Sequence, residues 1–143
     1  MPPAPAYVDT SVIVSYTDEA DPNHERALAL VKGLSGGRAV SKLTLVELAS
    51  VYSRARLEEP LPLVMYSVRS VGAEVVEVDF SEALRDAIVK APTLKLRTLD
   101  LIHIMACRSA GCKEFVTLDP DIAGRAGAID RELGIKVVSQ PTV

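Results

Sequence analysis

Four carboxylates in this 143-residue chain are set in apolar frames. Asp9 closes the run AYVD ahead of TSVIV, and Glu47 sits inside KLTLVELASVY. Asp100 opens LDLIHIMACRSAG, and Asp119 closes FVTLD ahead of PD. Each has an ordinary structural explanation. Asp9, with Thr10 and Ser11 behind it, fits a helix N-cap. Glu47 fits a solvent-facing helix position paired with Arg54 or a neighbouring helix. Asp100 lies in the first turn of a helix that Thr98 would cap, where the helix dipole favours an anion. Asp119 before Pro120 is a complete helix-start signal. Asp121, two residues on, fits a fifth, outer acid as well as a first-turn anion. Together the four offer more. A cluster of carboxylate oxygens suits a hard divalent cation, Mg2+ or Mn2+. A metal would also offset the cost of burying Glu47 in so apolar a setting. With only His24 and His103, and with Cys107 close to Cys112, a zinc site is poorly supplied.

The elements around these acids alternate. Short β-like runs fall at Ala6–Asp9, Arg38–Ser41, Glu74–Val78, Glu114–Leu118 and Lys136–Ser139. Helical spacing occupies Ser11–Thr17, Asn23–Leu34, Thr44–Leu57, Leu61–Val71, Ser81–Lys90, Leu99–Ala110 and Asp121–Leu133. Glycines at Gly36, Gly37, Gly111 and Gly134 and prolines at Pro60, Pro62 and Pro92 punctuate them. Strands alternating with helices imply crossover connections, hence a largely parallel sheet covered on both faces. Such sheets bind ligands at the carboxyl ends of their strands. Asp9 and Asp119 both follow strands, so both are expected at that edge. Glu47 and Asp100 sit on helices that can project toward it.

Composition sets the bounds. The chain is 48% hydrophobic and 24% charged, enough for one domain over residues 1–143 with its own core. Aromatics make up 4% with no Trp, so that core is aliphatic. No apolar run reaches the roughly 18–20 residues of a membrane span, and MPPAPAYVDT lacks the basic and apolar regions of a signal peptide. The expected location is cytoplasmic, with Cys107 and Cys112 as free buried thiols. The net charge of −3 is unlike that of a nucleic-acid binder. Set the four acids aside, however, and the remainder is slightly basic. An acidic total is therefore compatible with a phosphodiester substrate, provided metal is bound.

AYVDTSVIV, LTLVELASVY, LDLIHIMACRSAG and FVTLDPD, in that order, resemble the PIN domain, and most closely its VapC-type toxins. The resemblance spans about Tyr7 to Val138. It implies a three-layer α/β/α sandwich with a short, mainly parallel sheet, metal-dependent RNA cleavage, an antitoxin partner and a homodimer. It assigns the metal-binding and catalytic acids to Asp9, Glu47, Asp100 and Asp119, with Asp121 a further acid present in only some members. It points to Thr10 or Ser11 as a hydroxyl that binds metal or orders water, and to Thr117 as a polar residue before the last acid. Lys42, Lys95 and Arg97 are candidates for gripping the RNA backbone. Members often have Ala-rich sequence after the third acid, where this chain has His103, Met105 and Cys107. His103, one helical turn after Asp100, is read either as approaching the site to hydrogen-bond a ligand or, more simply, as a core or interface histidine. Tyr52, Leu57, Leu61, Leu63, Val64, Met65 and Tyr66 are read equally as core and as a face for an antitoxin or a second copy. Other readings are a PIN-like nuclease of RNA processing or DNA flaps, and a silent PIN-fold binding module. A phosphatase using Asp9 as nucleophile usually needs a second Asp two residues on, where this chain has Ser11.

Overall fold

A computed structural model describes residues 4–141. Among the described residues there are five three-residue strands, each carrying apolar or β-branched residues that suit a pleated surface. They are β1 (Ala6–Val8), β2 (Arg38–Val40), β3 (Ala73–Val75), β4 (Glu114–Val116) and β5 (Lys136–Val138). All pair in parallel, in the order β3-β2-β1-β4-β5. The chain runs outward from β1 through β2 to β3, then returns to place β4 on the other side of β1. The strand order therefore reverses between β1 and β4, and such a switch point opens a crevice at the carboxyl ends. Asp9 follows β1 directly, and Thr117 follows β4 directly. The register Val8 opposite Val116 sets those two residues side by side.

Among the described residues, eight helices connect the strands: α1 (Thr10–Thr17), α2 (His24–Lys32), α3 (Lys42–Arg54), α4 (Pro60–Ser70), α5 (Phe80–Leu94), α6 (Thr98–Ser109), α7 (Pro120–Ala123) and α8 (Ala126–Leu133). Alternation along the strands sends side chains to opposite faces. Tyr7, Ala39 and Phe115 point into a core with Ala83, Ala87, Leu94, Ile104, Met105 and Ile129 of α5, α6 and α8. Ala6, Val8, Val40 and Val116 point into a second core with Val12, Ile13, Leu30, Leu48, Tyr52 and Val68 of α1 to α4. The result is the expected α/β/α sandwich, and its sheet is wholly parallel rather than mainly so.

Two helices differ from expectation. Pro92 lies inside α5, which continues to Leu94 instead of ending before it. The carbonyl that loses a donor belongs to Ile88, and both Ile88 and Pro92 are exposed, so water accepts the role. The expected single helix over Asp121–Leu133 is two, α7 and α8, parted at Gly124 and Arg125. Two glycines within four positions, Gly124 and Gly127, weaken helix propagation there. Elsewhere the boundaries move by a few residues. α3 starts at Lys42, because the Ser41 N–H bonds to Thr44 Oγ1 at 3.2 Å. The third strand is Ala73–Val75 rather than Glu74–Val78. Cys107 and Cys112 are free and buried. Among the described residues, no helix is long and apolar enough to cross a membrane.

Candidate metal centre

Asp9 leaves the sheet with its backbone fixed. Its N–H bonds to Val116 O at 2.9 Å, and its carbonyl accepts from Val12 N at 3.0 Å as α1 begins. It occupies the N-cap position, yet its side chain makes no capping bond. The carboxylate instead turns to the β1/β4 crevice, where Oδ2 accepts from Thr117 Oγ1 at 2.8 Å and from Ser11 Oγ at 3.0 Å. Both hydroxyls are themselves held: Ser11 Oγ accepts from Leu118 N, and Thr117 Oγ1 from Asp119 N. With both donors on Oδ2, Oδ1 is left for a ligand. Burial raises the Asp9 pKa, opposed by the neighbouring His103 and the two hydroxyl bonds.

Glu47 reaches the same place from α3. Its Oε1 accepts from Thr10 Oγ1 at 2.9 Å and from His103 Nε2 in a very short contact. Burial works to raise its pKa, but the His103 hydrogen bond and charge, helped by Thr10, outweigh it and hold the carboxyl below its usual range. Ligand atoms of Asp9, Glu47 and His103 all lie within 4.8 Å of one another.

Asp100, in the first turn of α6, faces this group. Its pKa is pushed up to about 6, first by burial, then by the negative charges of Asp9 and Asp119, with Glu47 adding to them against His103. Asp119 is the N-cap of α7, its Oδ1 accepting from Asp121 N at 2.8 Å. Asp9 and Glu47 thus meet with His103 at one sheet edge, and Asp100 and Asp119 lie outside that group but near enough to interact with each other and with it by charge. Asp9, Asp119 and Glu47, when ionised, each oppose the ionisation of Asp100. A divalent cation relieves that opposition, and carboxylate oxygens are the donors hard cations prefer. The residues fit a divalent-metal site.

The remaining candidates divide. Thr10, Ser11 and Thr117 all bond to the acids, as described. Asp121 is exposed and turns to Arg97, with Oδ2 3.4 Å from Nη2. Lys42 pairs with Glu77 at 3.8 Å in full solvent. Lys95 and Arg97 line a cleft of about 430 Å3 with Leu96, Pro120, Asp121, Gly124 and Arg125. This cleft adjoins the acids, since Arg97 precedes Asp100 by one turn and Pro120 follows Asp119. Arg125 was not foreseen. It is brought there by the break between α7 and α8, which the residue pattern did not reveal. Tyr7 was missed as well, and the hydrogen bond of His103 to an acid was the less favoured of two readings. The available signal was a lone His one turn past Asp100 on an otherwise apolar helix.

The apolar cluster around α3 and α4 also divides. Tyr52 and Val64 are buried, and Leu63 is partly so. Leu57, Leu61, Met65 and Tyr66 are exposed, Leu61 and Tyr66 by 68% and 62%.

Residues 6–128 match the family model of the PIN domain. The chain belongs to the PIN domain family. Among solved structures it is similar to VapC20 of Mycobacterium tuberculosis, described as a sarcin-ricin loop cleaving toxin. The identity is 19% and the TM-score 0.65, over 83% of this chain and 93% of that one. It is similar to a toxin–antitoxin complex from Klebsiella pneumoniae at 14% identity and TM-score 0.63, over 83% and 91% of the two chains. It is also similar to FitAcB from Neisseria gonorrhoeae at 16% identity and TM-score 0.62, over 93% and 96%. At these identities the likeness is one of fold. No curated protein sequence matches the chain.

Proposed function

We propose that this protein is a divalent-metal-dependent endoribonuclease and the toxin of a toxin–antitoxin pair. One observation carries the proposal: Asp9 and Glu47 meet at the β1/β4 switch point, in charge contact with Asp100 and, through it, Asp119, beside a cleft bearing Lys95, Arg97 and Arg125. The likeness to a toxin that cleaves the sarcin-ricin loop and to a toxin–antitoxin complex supports the RNA substrate and the antitoxin partner.

Asp9, Asp100 and Asp119 would be the principal ligands of Mg2+ or Mn2+, with Glu47 completing the set. When bound, such an ion lowers the pKa of a coordinated water and offsets charge on a phosphodiester. The chain's own groups do the rest. Thr117 and Ser11 hold Asp9 by Oδ2, and Thr10 and His103 hold Glu47 by Oε1. Each carboxylate therefore presents its other oxygen without having to reorganise. Lys95, Arg97 and Arg125 neutralise backbone phosphates and set the strand's path past the acids. No side chain need act as nucleophile.

Leu57, Leu61, Met65 and Tyr66 form an exposed apolar face on and beside α4, which suits an antitoxin segment or a second copy. We assign it to the antitoxin. A location in the cytoplasm follows from this reading. Cleavage of single-stranded and structured RNA with Mg2+, with Mn2+ and with EDTA tests the proposal. Activity is expected only with metal, and is expected to fall at least about 100-fold in Asp9→Asn. Cleavage in EDTA, or full activity of Asp9→Asn, would refute it.

A further inference from the structure

We propose that His103, backed by Tyr7, is a positioning residue that fixes the Glu47 carboxylate for metal. This rests on the metal-centre reading above and adds two residues to it. His103 is 1% exposed, on a helix whose neighbouring buried residues are Leu101, Ile104, Met105, Ala106 and Cys107. An imidazole placed there without partners would lose its hydration for nothing. Both its ring nitrogens are instead engaged. Nε2 meets Glu47 Oε1, and Nδ1 meets Tyr7 Oη at 2.8 Å.

The direction of these bonds follows from what surrounds them. Against a carboxylate oxygen, Nε2 must carry the hydrogen, so it donates. Tyr7 is held in turn: its hydroxyl meets Ser41 Oγ at 2.7 Å and Thr44 Oγ1 at 3.3 Å. Its ring stacks on Phe115, with centroids 5.6 Å apart and planes 10° apart. Ser41 and Thr44 lie at the start of α3, the helix that carries Glu47 one turn further on. The chain of bonds therefore runs from β1 through α6 to α3 and closes on the helix it orients. Thr10 supplies the second donor to the same Oε1. Two donors converging on one oxygen fix the rotation of the carboxyl group and leave Oε2 for the cation. Partners behind a ligating carboxylate or imidazole typically act this way.

His103 is not itself a ligand in this arrangement. Its outward nitrogen donates to Glu47, and its inward nitrogen faces Tyr7 in the core.

The test is calorimetric titration of Mn2+ into the full chain and its variants. The amide of His103→Gln reaches where Nε2 was and can still donate to Glu47. That of His103→Asn sits where Nδ1 was, keeps Tyr7 and falls short of Glu47. His103→Gln is expected to bind Mn2+ close to wild type, and His103→Asn about 10–100-fold more weakly. In a Glu47→Ala background, His103→Asn should cost nothing further. A packing role alone would treat the two variants alike. Tyr7→Phe, which removes only a hydroxyl, should weaken Mn2+ binding in the same direction and keeps the proposal open to test if an His103 variant does not fold.

Equal binding by wild type and His103→Asn overturns the proposal, as does an undiminished His103→Asn cost in Glu47→Ala. So does a nitrogen coupling to bound Mn2+ by electron spin echo in wild type that is lost in His103→Gln, because it would make His103 a ligand. If wild type binds Mn2+ while His103 is indifferent, this proposal alone fails. If wild type binds no Mn2+, the metal centre fails with it.

Discussion

Asp100 is the acid whose ionisation the fold opposes, with its pKa raised from 3.8 to about 6. The native state then holds that proton more tightly than the unfolded chain does. The stabilisation it provides is full below the unfolded value and fades as pH rises through about 6. Metal-free protein should therefore lose thermal stability between pH 4 and pH 7. Asp9, raised by burial, acts in the same direction. Asp100→Asn has no proton to lose. It should flatten that slope and raise metal-free stability at pH 7 by about 1 kcal/mol, a figure reduced for the group's partial exposure, while weakening Mn2+ binding. Melting curves across this range in chelator check it, and a variant that tracks wild type at every pH contradicts it. Thr117→Val should behave oppositely. It leaves Asp9 short of a donor and Asp119 N without its acceptor, and should cost about 2–3 kcal/mol in urea denaturation as well as weakening metal. The four acids stand out in sequence as candidates because two end strands, one opens a helix and one interrupts an apolar helix, and the structure brings Asp9 and Glu47 together. The bond between Tyr7 and His103 was not legible there, because it joins residues 96 positions apart. Periodicity reports which face a residue occupies, not which polar group approaches it from another element.

At the scale of elements, the strand–helix alternation and the parallel sheet could be read from the apolar pattern alone. The failures sit where solvent or glycine decides. Pro92 was read as a stop because it removes a donor, but the orphaned carbonyl of Ile88 lies on an exposed face. The Asp119–Pro120 start signal was genuine, yet it opens one short turn rather than the long helix that follows it. Gly111, read as the end of α6, is a success with a measurable consequence. It takes φ +77°, and a Cβ there would meet nothing within 4 Å. Gly111→Ala should therefore cost backbone strain and nothing else, about 1–2 kcal/mol. Because the strain lies at the far end of α6 from Asp100, Mn2+ affinity should be unchanged. Denaturation and titration of the one variant test both halves, and a change in Mn2+ affinity would show that the end of α6 is coupled to the acids.

For the whole molecule the issue is charge. A chain of net −3 meets a polyanion only if its charges are sorted in space, and Lys95, Arg97 and Arg125 gather on one side of the acids. Binding of a labelled single-stranded RNA, measured in EDTA so that no strand is cut, should weaken with salt. Lys95→Ala and Arg125→Ala should each reduce the log–log slope by about 0.7. Lys42→Ala should leave it nearly unchanged, since Lys42 pairs with Glu77 outside this cleft. Asp121 turns the same logic into a discriminating experiment. As a fifth metal ligand it would, when replaced, weaken Mn2+ binding. Its carboxylate is instead spent on Arg97, 3.4 Å away, with both side chains largely in solvent. A pair so exposed contributes little to stability, but it cancels one of the three cations an approaching phosphate would meet. Asp121→Ala should thus leave Mn2+ affinity and folding unchanged, tighten RNA binding, and steepen the salt slope as Arg97 becomes free to displace counterions. Weaker Mn2+ binding in that variant would move Asp121 into the metal site. Unchanged RNA affinity would remove Arg97 from the path of the strand.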